Sequence, residues 1–318
     1  ASFNGNVGDN INHAGFRPWF QRLIKKKISW QSLEIREFYW KKRNWDKKFV
    51  DLVNNFDLLV IGGGNYFELW LDNSPTGTSI AIPLNLFKKI RIPIFFNSLG
   101  VDLAQGSTKL TKTKFKKFLD LILCDEKNII SIRNDGSKKN LEKIYEIKNL
   151  KKINYCPDHG FFIEKKFYKK KKKNYRVISI NLACDMPEIR FKHFGNKKTR
   201  IQNFCKEMSL FICKLCNNYE NLIVYLIPHI YSDLQVYNEI LKFLPDDVRR
   251  KKIFIGEFGS GSKSAIKTLE YYLRSDLVLG TRFHSNVSSI GLLKDTIGLK
   301  NFPQIEYLYD EIGQSKSV

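Results

Sequence analysis

The sequence lacks a long apolar run, since no stretch approaches the ~18 residues that an apolar helix needs to cross a bilayer. It also lacks a visible signal peptide. A membrane-spanning protein is therefore not expected. We predict a cytoplasmic location, with the inner face of the membrane as a narrower alternative.

Acidic residues are scarce, because 32 Asp and Glu stand against 54 Lys and Arg and leave a formal net charge of +22. Such a surface attracts polyanions or an anionic membrane face, so a non-catalytic polyanion-binding protein is one function class to consider. The lysines are spread along the chain and form no known nucleic-acid motif, so we predict no nucleic-acid partner. For the basic and aromatic residues 25–48, a peripheral membrane contact and an ordinary solvated face both stay open.

The six cysteines lack the spacing of a disulfide framework, which indicates reduced thiols. Cys213 and Cys216 form one CxxC pair in a helix-like stretch with no second ligand pair nearby, so buried helix thiols are expected rather than zinc. A GxGxxG fingerprint and a P-loop are also missing from the sequence. We therefore predict no metal site.

The alternation of strands and helices predicts the fold class. With 43% hydrophobic residues over 318 positions, the chain can fill two cores of ordinary size. Apolar strand-like runs alternate with helical patterns in both halves, which predicts parallel sheets covered by helices. The five lysines at 169–173 mark a boundary. We predict a domain over residues 1–165, a Lys-rich linker over 166–174 and a second domain over 175–318, with a ligand cleft between them.

The stretch that points most directly to chemistry is Gly-Thr-Arg-Phe-His-Ser at residues 280–285, which follows an apolar run at 277–279. A cation and an imidazole lie two residues apart at the carboxyl end of a predicted strand, where an open α/β sheet binds its ligand. We hypothesise that Arg282 holds an anion and that His284 transfers a proton. The alternative makes His284 a hydrogen-bonded core histidine and Arg282 a surface ion-pair partner.

Three other strand ends carry candidate groups, and each has a plainer interpretation. Asp9, in Gly-Asn-Val-Gly-Asp-Asn at 5–10, orients or deprotonates a hydroxyl, or it caps the helix that follows. The three glycines at 62–64 are approached closely by a ligand or by another loop. Arg133 binds an anion, or it pairs with Asp135.

Six short motifs follow one another along the chain: Gly-Asn-Val-Gly-Asp at 5–9, Gly-Gly-Gly at 62–64, Ser-Ile-Arg at 131–133, Pro-Asp at 157–158, Ile-Pro-His at 227–229 with Asp233, and Gly-Thr-Arg-Phe-His at 280–284. Their order and spacing resemble the polysaccharide pyruvyl transferase family, from residue 5 to about residue 313. The resemblance implies an α/β fold of two Rossmann-like doubly wound domains facing a cleft, as in GT-B glycosyltransferases. It also implies transfer of the pyruvyl group of phosphoenolpyruvate, as a ketal, to sugar hydroxyls of a cell-surface polysaccharide or its lipid-linked oligosaccharide precursor. No metal or organic cofactor is implied.

By matching motif positions, the resemblance makes His284 the general acid/base and Arg282 the holder of the donor's anionic groups. Arg133 would be a second anion contact, and Asp9 would orient or deprotonate an acceptor hydroxyl. The first domain would serve the acceptor and the second domain the donor. The remaining implied site residues are Asn6, Gly62, Gly63, Gly64 and Asn65 on the acceptor side, and Gly259, Ser260, Gly261, Ser262 and Lys300 on the donor side.

The sequence departs from the family pattern at one place. Many members carry a lysine about twenty residues after the histidine, where this chain has Gln304, with Lys300 and Lys294 nearby. Either Lys300 substitutes for that lysine, or donor binding differs. His229 and Asp233 match the family in position, as site groups or as a structural hydrogen-bonded pair. The alternative function is a GT-B-like glycosyltransferase that uses a nucleotide sugar.

Overall fold

The computed structural model describes residues 1–145, 150–164 and 174–318. Apart from Asn174, the predicted linker 166–174 lies outside the described residues. The chain divides into two compact units, each formed by two segments of the chain. Unit 1 comprises Ala1–Ser2 and Ile28–Asp158, and unit 2 comprises Phe3–Lys27 and His159–Val318.

Unit 1 is built on a parallel sheet whose strands lie side by side in chain order. The sheet strands are β1 (Leu59–Gly62), β3 (Ile94–Leu99), β5 (Ile129–Ile132) and β6 (Asn154–Tyr155), and a separate parallel pair is formed by β2 (Phe67–Glu68) and β4 (Val101–Asp102). The helices of this unit are α2 (Arg36–Tyr39), α3 (Lys47–Val53), α4 (Leu84–Phe87), α5 (Lys109–Cys124) and α6 (Ser137–Glu142).

The longest helix of unit 1 shows how the sequence specifies its elements. Helix α5 begins at a capping box, in which the Thr108 hydroxyl accepts from the amide of Thr111 and the Thr111 hydroxyl accepts from the amide of Thr108. Its buried side chains Phe115, Phe118 and Leu119 recur at helical spacing and face the core. Local capping and periodicity therefore account for this helix.

Unit 2 contains a five-stranded parallel sheet and the two longest of the described helices. Its strands are β7 (Arg176–Asn181), β8 (Leu222–Leu226), β9 (Ile253–Ile255), β10 (Leu277–Gly280) and β11 (Asp295–Gly298). Its helices are α1 (Val7–Ile24), α7 (Pro187–Arg190), α8 (Arg200–Asn218), α9 (Asp233–Phe243), α10 (Asp246–Lys252), α11 (Gly261–Arg274), α12 (Phe283–Gly291) and α13 (Pro303–Glu311), with 3₁₀ turns at His159–Phe162, Lys192–Phe194 and Ser315–Ser317.

The strand order of unit 2 is β11-β10-β7-β8-β9. The chain starts at the central strand β7, extends to β9 on one side, and then crosses to β10 and β11 on the other. This is the doubly wound order, and its reversal lies between β7 and β10, where Asn181 pairs with Gly280. Loops that leave the carboxyl ends of these two strands are where such a sheet binds its ligand.

The predicted domain boundary is wrong at both ends of the first domain. Residues 3–27 and 159–164, predicted to lie in the N-terminal domain, belong to unit 2. The reason is packing, because Val7 and Ile11 of α1 are buried against Ile227 and Tyr272 of unit 2.

Within the described residues, no helix combines the length and the hydropathy needed to span a membrane.

Candidate active site

The site of unit 2 forms at the carboxyl ends of three neighbouring strands. The loop after β7 carries Asp185, the loop after β8 leads to His229 and Asp233, and the turn after β10 carries Arg282 and His284. Helix α12 begins immediately after Arg282, which is its N-terminal cap residue. The structure thus places Arg282 and His284 directly after the carboxyl end of β10, as the sequence predicts, and the strand order shows that this end lies at the strand reversal.

Arg282 is held by two carboxylates. Its Nε donates to Asp233 Oδ2 at 2.9 Å, and its Nη2 donates to Asp233 Oδ1 and to Asp185 Oδ1. The Arg282 side chain is 13% exposed and that of Asp233 is fully buried. Burial alone would lower the pKa of Arg282, but Asp233 and Asp185 outweigh it and raise the pKa, so the guanidinium stays charged. Arg282 therefore has an ion pair, which is buried and not at the surface.

These bonds use Nε and Nη2 of Arg282 and do not involve Nη1. Asp233 is itself fixed, because its Oδ2 accepts from the amides of His229 at 2.9 Å and Ile230 at 3.2 Å. A guanidinium clamped along one edge presents its other edge in a defined direction. The predicted contact between Arg282 and the donor stays a prediction.

A second arginine, which the sequence analysis missed, lies beside Asp185. Arg190 Nη2 is 3.5 Å from Asp185 Oδ2, and its Nη1 donates to Asn301 Oδ1 at 3.0 Å. Burial would raise the pKa of Asp185, but Arg282 and Arg190 outweigh it and lower the pKa. Burial also lowers the pKa of Arg190 to about 10. One feature of the sequence could have revealed this pair: Asp185 comes shortly after a predicted strand, where site residues are expected.

Helix α1 packs directly on His284. A Cβ atom at Gly8 would lie 2.5 Å from His284 Nδ1, and the amide of Val7 donates to the carbonyl of His229 at 3.0 Å. Asn6 and Asp9, which were predicted to lie in the acceptor-side domain, are therefore in the same unit as His284. This placement corrects the predicted assignment of the segment, although the roles of both residues stay predictions.

The cap of α1 is Asn6, whose Oδ1 accepts from the amide of Asp9 at 3.3 Å. The interpretation of Asp9 as the capping residue is therefore wrong. Asp9 lies in the first turn of α1, where the helix dipole favours a carboxylate, and it is 7% exposed. Asp9 is thus a nearly buried acid one residue after the glycine that touches His284.

The predicted proton transfer by His284 implies that Gly8→Ala lowers turnover about 10²-fold or somewhat less, because the added methyl group would push the His284 ring out of its position and small misplacements have effects of that size. Alanine favours a helix over glycine by about 1 kcal/mol, so helix formation should not suffer. Steady-state turnover and thermal unfolding measure the two effects separately.

Ala14→Gly is the control for that substitution. Ala14 lies on the same helix, and the change removes a methyl group and costs about 1 kcal/mol of helix stability. We expect this variant to unfold more easily and to keep wild-type turnover. Equal turnover for the two variants would contradict the role assigned to Gly8.

His229 is a buried neutral histidine. Its Nε2 lies 2.7 Å from the Tyr272 hydroxyl, and the residue is 1% exposed. Burial, then the charges of Arg282 and His284, lower the pKa of His229 well below its ordinary value. The sequence analysis considered a structural hydrogen-bonded pair of His229 and Asp233. This pair exists, but it is formed by the backbone amide of His229, whereas the imidazole bonds Tyr272. Tyr272 was not identified from the sequence.

The predicted donor loop at 259–262 precedes helix α11. The hydroxyl of Ser260 accepts from the amide of Gly5 at 2.7 Å, and the amide of Gly261 donates to the carbonyl of Phe3 at 3.1 Å. These bonds fix the start of α11 beside the segment that leads into α1. Gly259 and Ser262 flank them, and donor binding by this loop stays a prediction.

Lys300, the predicted substitute for the family lysine, lies on the surface of unit 2. Its Nζ donates to Glu306 Oε1 at 2.6 Å, and its side chain is 55% exposed. Gln304 lies in the first turn of α13. The structure therefore gives Lys300 an exposed ion pair, and its contact with the donor stays a prediction.

In unit 1, the glycines at 62–64 are approached by neighbouring protein groups. A Cβ at Gly62 would lie 2.5 Å from the carbonyl oxygen of Asn97, and one at Gly64 would lie 2.5 Å from the Tyr66 ring. Gly62 is thus approached by the neighbouring strand β3, and Gly64 by a residue of its own loop, so neither contact is the approach by another loop that the sequence analysis considered. Asn65 Nδ2 donates to Asp102 Oδ2 at 2.7 Å. Contacts of these residues with an acceptor stay predictions.

Arg133, in the same unit, forms the pair that the sequence analysis left open. Its Nε donates to Asp135 Oδ2 at 2.6 Å, and its Nη1 is 3.7 Å from Asp158 Oδ2. The Arg133 side chain is 2% exposed. The ion-pair interpretation is therefore correct, and the anion contact stays a prediction.

In the described part of the chain, no group of three His, Cys, Asp or Glu side chains could hold a metal ion.

The comparison with known families now identifies the chain. The model of the family described as polysaccharide pyruvyl transferase matches residues 6–301. The chain belongs to the polysaccharide pyruvyl transferase family. This membership confirms the family inferred from the six motifs, and it indicates a transferase that acts in polysaccharide synthesis. No match was found among curated protein sequences.

Solved structures show the fold of this pyruvyl transferase family member. The Staphylococcus aureus MnaA structure with UDP has a TM-score of 0.52 at 12% identity, over 95% of this chain and 79% of that one. A putative UDP-N-acetylglucosamine 2-epimerase from Listeria monocytogenes has a TM-score of 0.52 at 11% identity, over 96% and 80%. Both confirm the predicted α/β class with two Rossmann-like domains of the GT-B-like type.

Proposed function

We propose that this family member transfers the pyruvyl group of phosphoenolpyruvate to sugar hydroxyls of a cell-surface polysaccharide or its lipid-linked precursor, with ketal formation and phosphate release. The observation that carries the proposal is the placement of Arg282 and His284 together at the strand reversal of unit 2. The family match over residues 6–301 supports the class of reaction. The proposal requires no metal and no organic cofactor.

The chemistry needs one acid, one base and an anion site. Protonated His284 would deliver its proton to the methylene carbon of the donor while a sugar oxygen forms a bond to C2. That hydroxyl gives up its proton as it adds, and neutral His284 can take it. A second hydroxyl then attacks C2, the bond between C2 and the phosphate oxygen breaks, and phosphate leaves with the bonding electrons. Asp9 is proposed to take the proton of the second hydroxyl as it attacks C2.

The donor anion would be held mainly by groups at helix starts. Asp233 and Asp185 compensate the charge of Arg282, and Asp185 also pairs with Arg190. The additional attraction would come from Nη1 of Arg282 and from backbone amides at the beginnings of α11 and α12, where N–H groups point outward. Arg282 would then contribute more to the orientation of the donor than to the neutralisation of its negative charge.

A thermal-shift experiment tests the donor class directly, because a ligand that binds only the native state raises its melting temperature. We expect phosphoenolpyruvate to raise the Tm and UDP-N-acetylglucosamine to leave it unchanged. Phosphate should be released from phosphoenolpyruvate only when a glycan acceptor is present. Stabilisation by the nucleotide sugar alone would contradict the proposal and favour the glycosyltransferase alternative.

A further inference from the structure

A ring nitrogen of His229 lies buried in the site of unit 2. Among the described residues, none offers a hydrogen bond to Nδ1 of His229, although the atom is buried and the residue is 1% exposed. Buried polar atoms are nearly always paired, because an unmet hydrogen bond costs free energy. An unpaired atom beside reactive groups is therefore a candidate for a ligand contact.

The backbone of His229 is fixed on both sides. Its amide donates to Asp233 Oδ2 at 2.9 Å, and its carbonyl accepts from the amide of Val7 at 3.0 Å. The first contact ties His229 to the carboxylate that clamps Arg282, and the second ties it to the start of α1. The backbone of His229 is therefore tied both to the Arg282 pair and to the helix that packs on His284, and its ring is close enough to Arg282 and His284 for both charges to lower its pKa.

The other ring nitrogen sets the tautomer. Tyr272 is buried, and burial raises the pKa of its hydroxyl well above the ordinary value, so it keeps its proton. The Tyr272 hydroxyl lies 2.7 Å from Nε2 and also has a side-chain hydrogen bond with Ser285. When this hydroxyl donates to Nε2, the proton of the neutral ring is on Nδ1. A neutral N–H donor adds direction to an anion site without adding charge that Asp233 or Asp185 would have to compensate.

We propose that Nδ1–H of His229 donates a hydrogen bond to the anion bound beside Arg282, and that Tyr272 is a positioning residue that fixes the tautomer by donating to Nε2. The inference deepens the proposed function, and it depends on that function only for the identity of the anion. A purely structural role for His229 would instead reside in the bond between Nε2 and Tyr272.

Two amide substitutions separate these roles, because each keeps one ring nitrogen. The amide nitrogen of His229→Asn takes the place of Nδ1, whereas that of His229→Gln takes the place of Nε2. We expect His229→Gln to raise the KM for phosphoenolpyruvate about tenfold or more, as the loss of a hydrogen bond to a charged ligand would. His229→Asn should keep a KM close to that of the wild type, and Tyr272→Phe should raise it without removing any ligand contact. The reverse order of the two His229 variants would overturn the inference.

A measurement on the wild type covers the case in which these variants fold poorly. Nitrogen-15 NMR of the histidine rings, with His229 assigned by elimination through variants of the other four histidines, reports the tautomer directly. We expect the proton on Nδ1 and a shift of that resonance on addition of phosphoenolpyruvate. If phosphoenolpyruvate does not stabilise the wild type, the proposed function fails and inorganic phosphate becomes the probe. A proton on Nε2, or an Nδ1 resonance that neither anion moves, overturns the inference.

Discussion

His284→Ala should lower turnover by about 10²–10⁴-fold, the usual contribution of a positioned general acid or base. His284 lies at the first turn of α12, directly after the cap residue Arg282, and its ring touches Gly8 of α1. The substitution removes the group proposed to give a proton to the donor carbon and to take one from the hydroxyl. Phosphate release with saturating donor and acceptor measures the loss.

His193→Ala is the matched control, because His193 is an exposed histidine in a 3₁₀ turn of the same unit. It should keep wild-type turnover. Donor binding should survive in His284→Ala, since the ring is proposed to move protons and Arg282 to hold the anion. Wild-type turnover in His284→Ala would remove this residue from the chemistry.

Asp233→Asn should reduce the free energy of unfolding by about 3–5 kcal/mol, because removing one partner of a buried ion pair leaves an uncompensated buried charge. Asp233 is fully buried and binds Arg282 through both oxygens. The amide offers one oxygen and no charge, and it would also weaken the bond from the His229 backbone. Urea denaturation followed by fluorescence measures the change.

The control for this variant is Asp246→Asn. Asp246 also pairs with two side chains, those of Arg249 and Arg250, but its own side chain is 60% exposed. Solvent screens such pairs, so we expect little change in the midpoint of unfolding. Similar midpoints for the two variants would show that burial of the Arg282 pair does not contribute to stability.

Much of the site was predictable because its signals are local. The apolar run before Gly280 predicts a strand, and the arginine and histidine that follow lie at its carboxyl end, as the structure confirms. Similarly, the cap and periodicity of residues 109–124 account for α5 without reference to the rest of the chain. Patterns with a period of two or 3.6 residues are sufficient for such elements.

Apart from the cap of α1, which is Asn6 and not Asp9, the features that the sequence did not reveal concern partners that are distant along the chain. The assignment of α1 to unit 2 depends on which core buries Val7 and Ile11, and amphipathic spacing does not identify that core. Asp185 lies 97 residues from Arg282, so no local pattern connects them. The bond between His229 and Tyr272 spans 43 residues and depends on how helix α11 lies on the sheet.

The position of α1 also affects how the protein can be divided. Because unit 2 takes residues 3–27 from one part of the chain and 159–318 from another, the polypeptide passes between the units more than once. A single proteolytic cut near residue 158 would leave α1 covalently attached to unit 1. A fragment that begins at residue 159 would expose Ile227, Leu269 and Tyr272, which α1 covers, and such an apolar patch promotes aggregation.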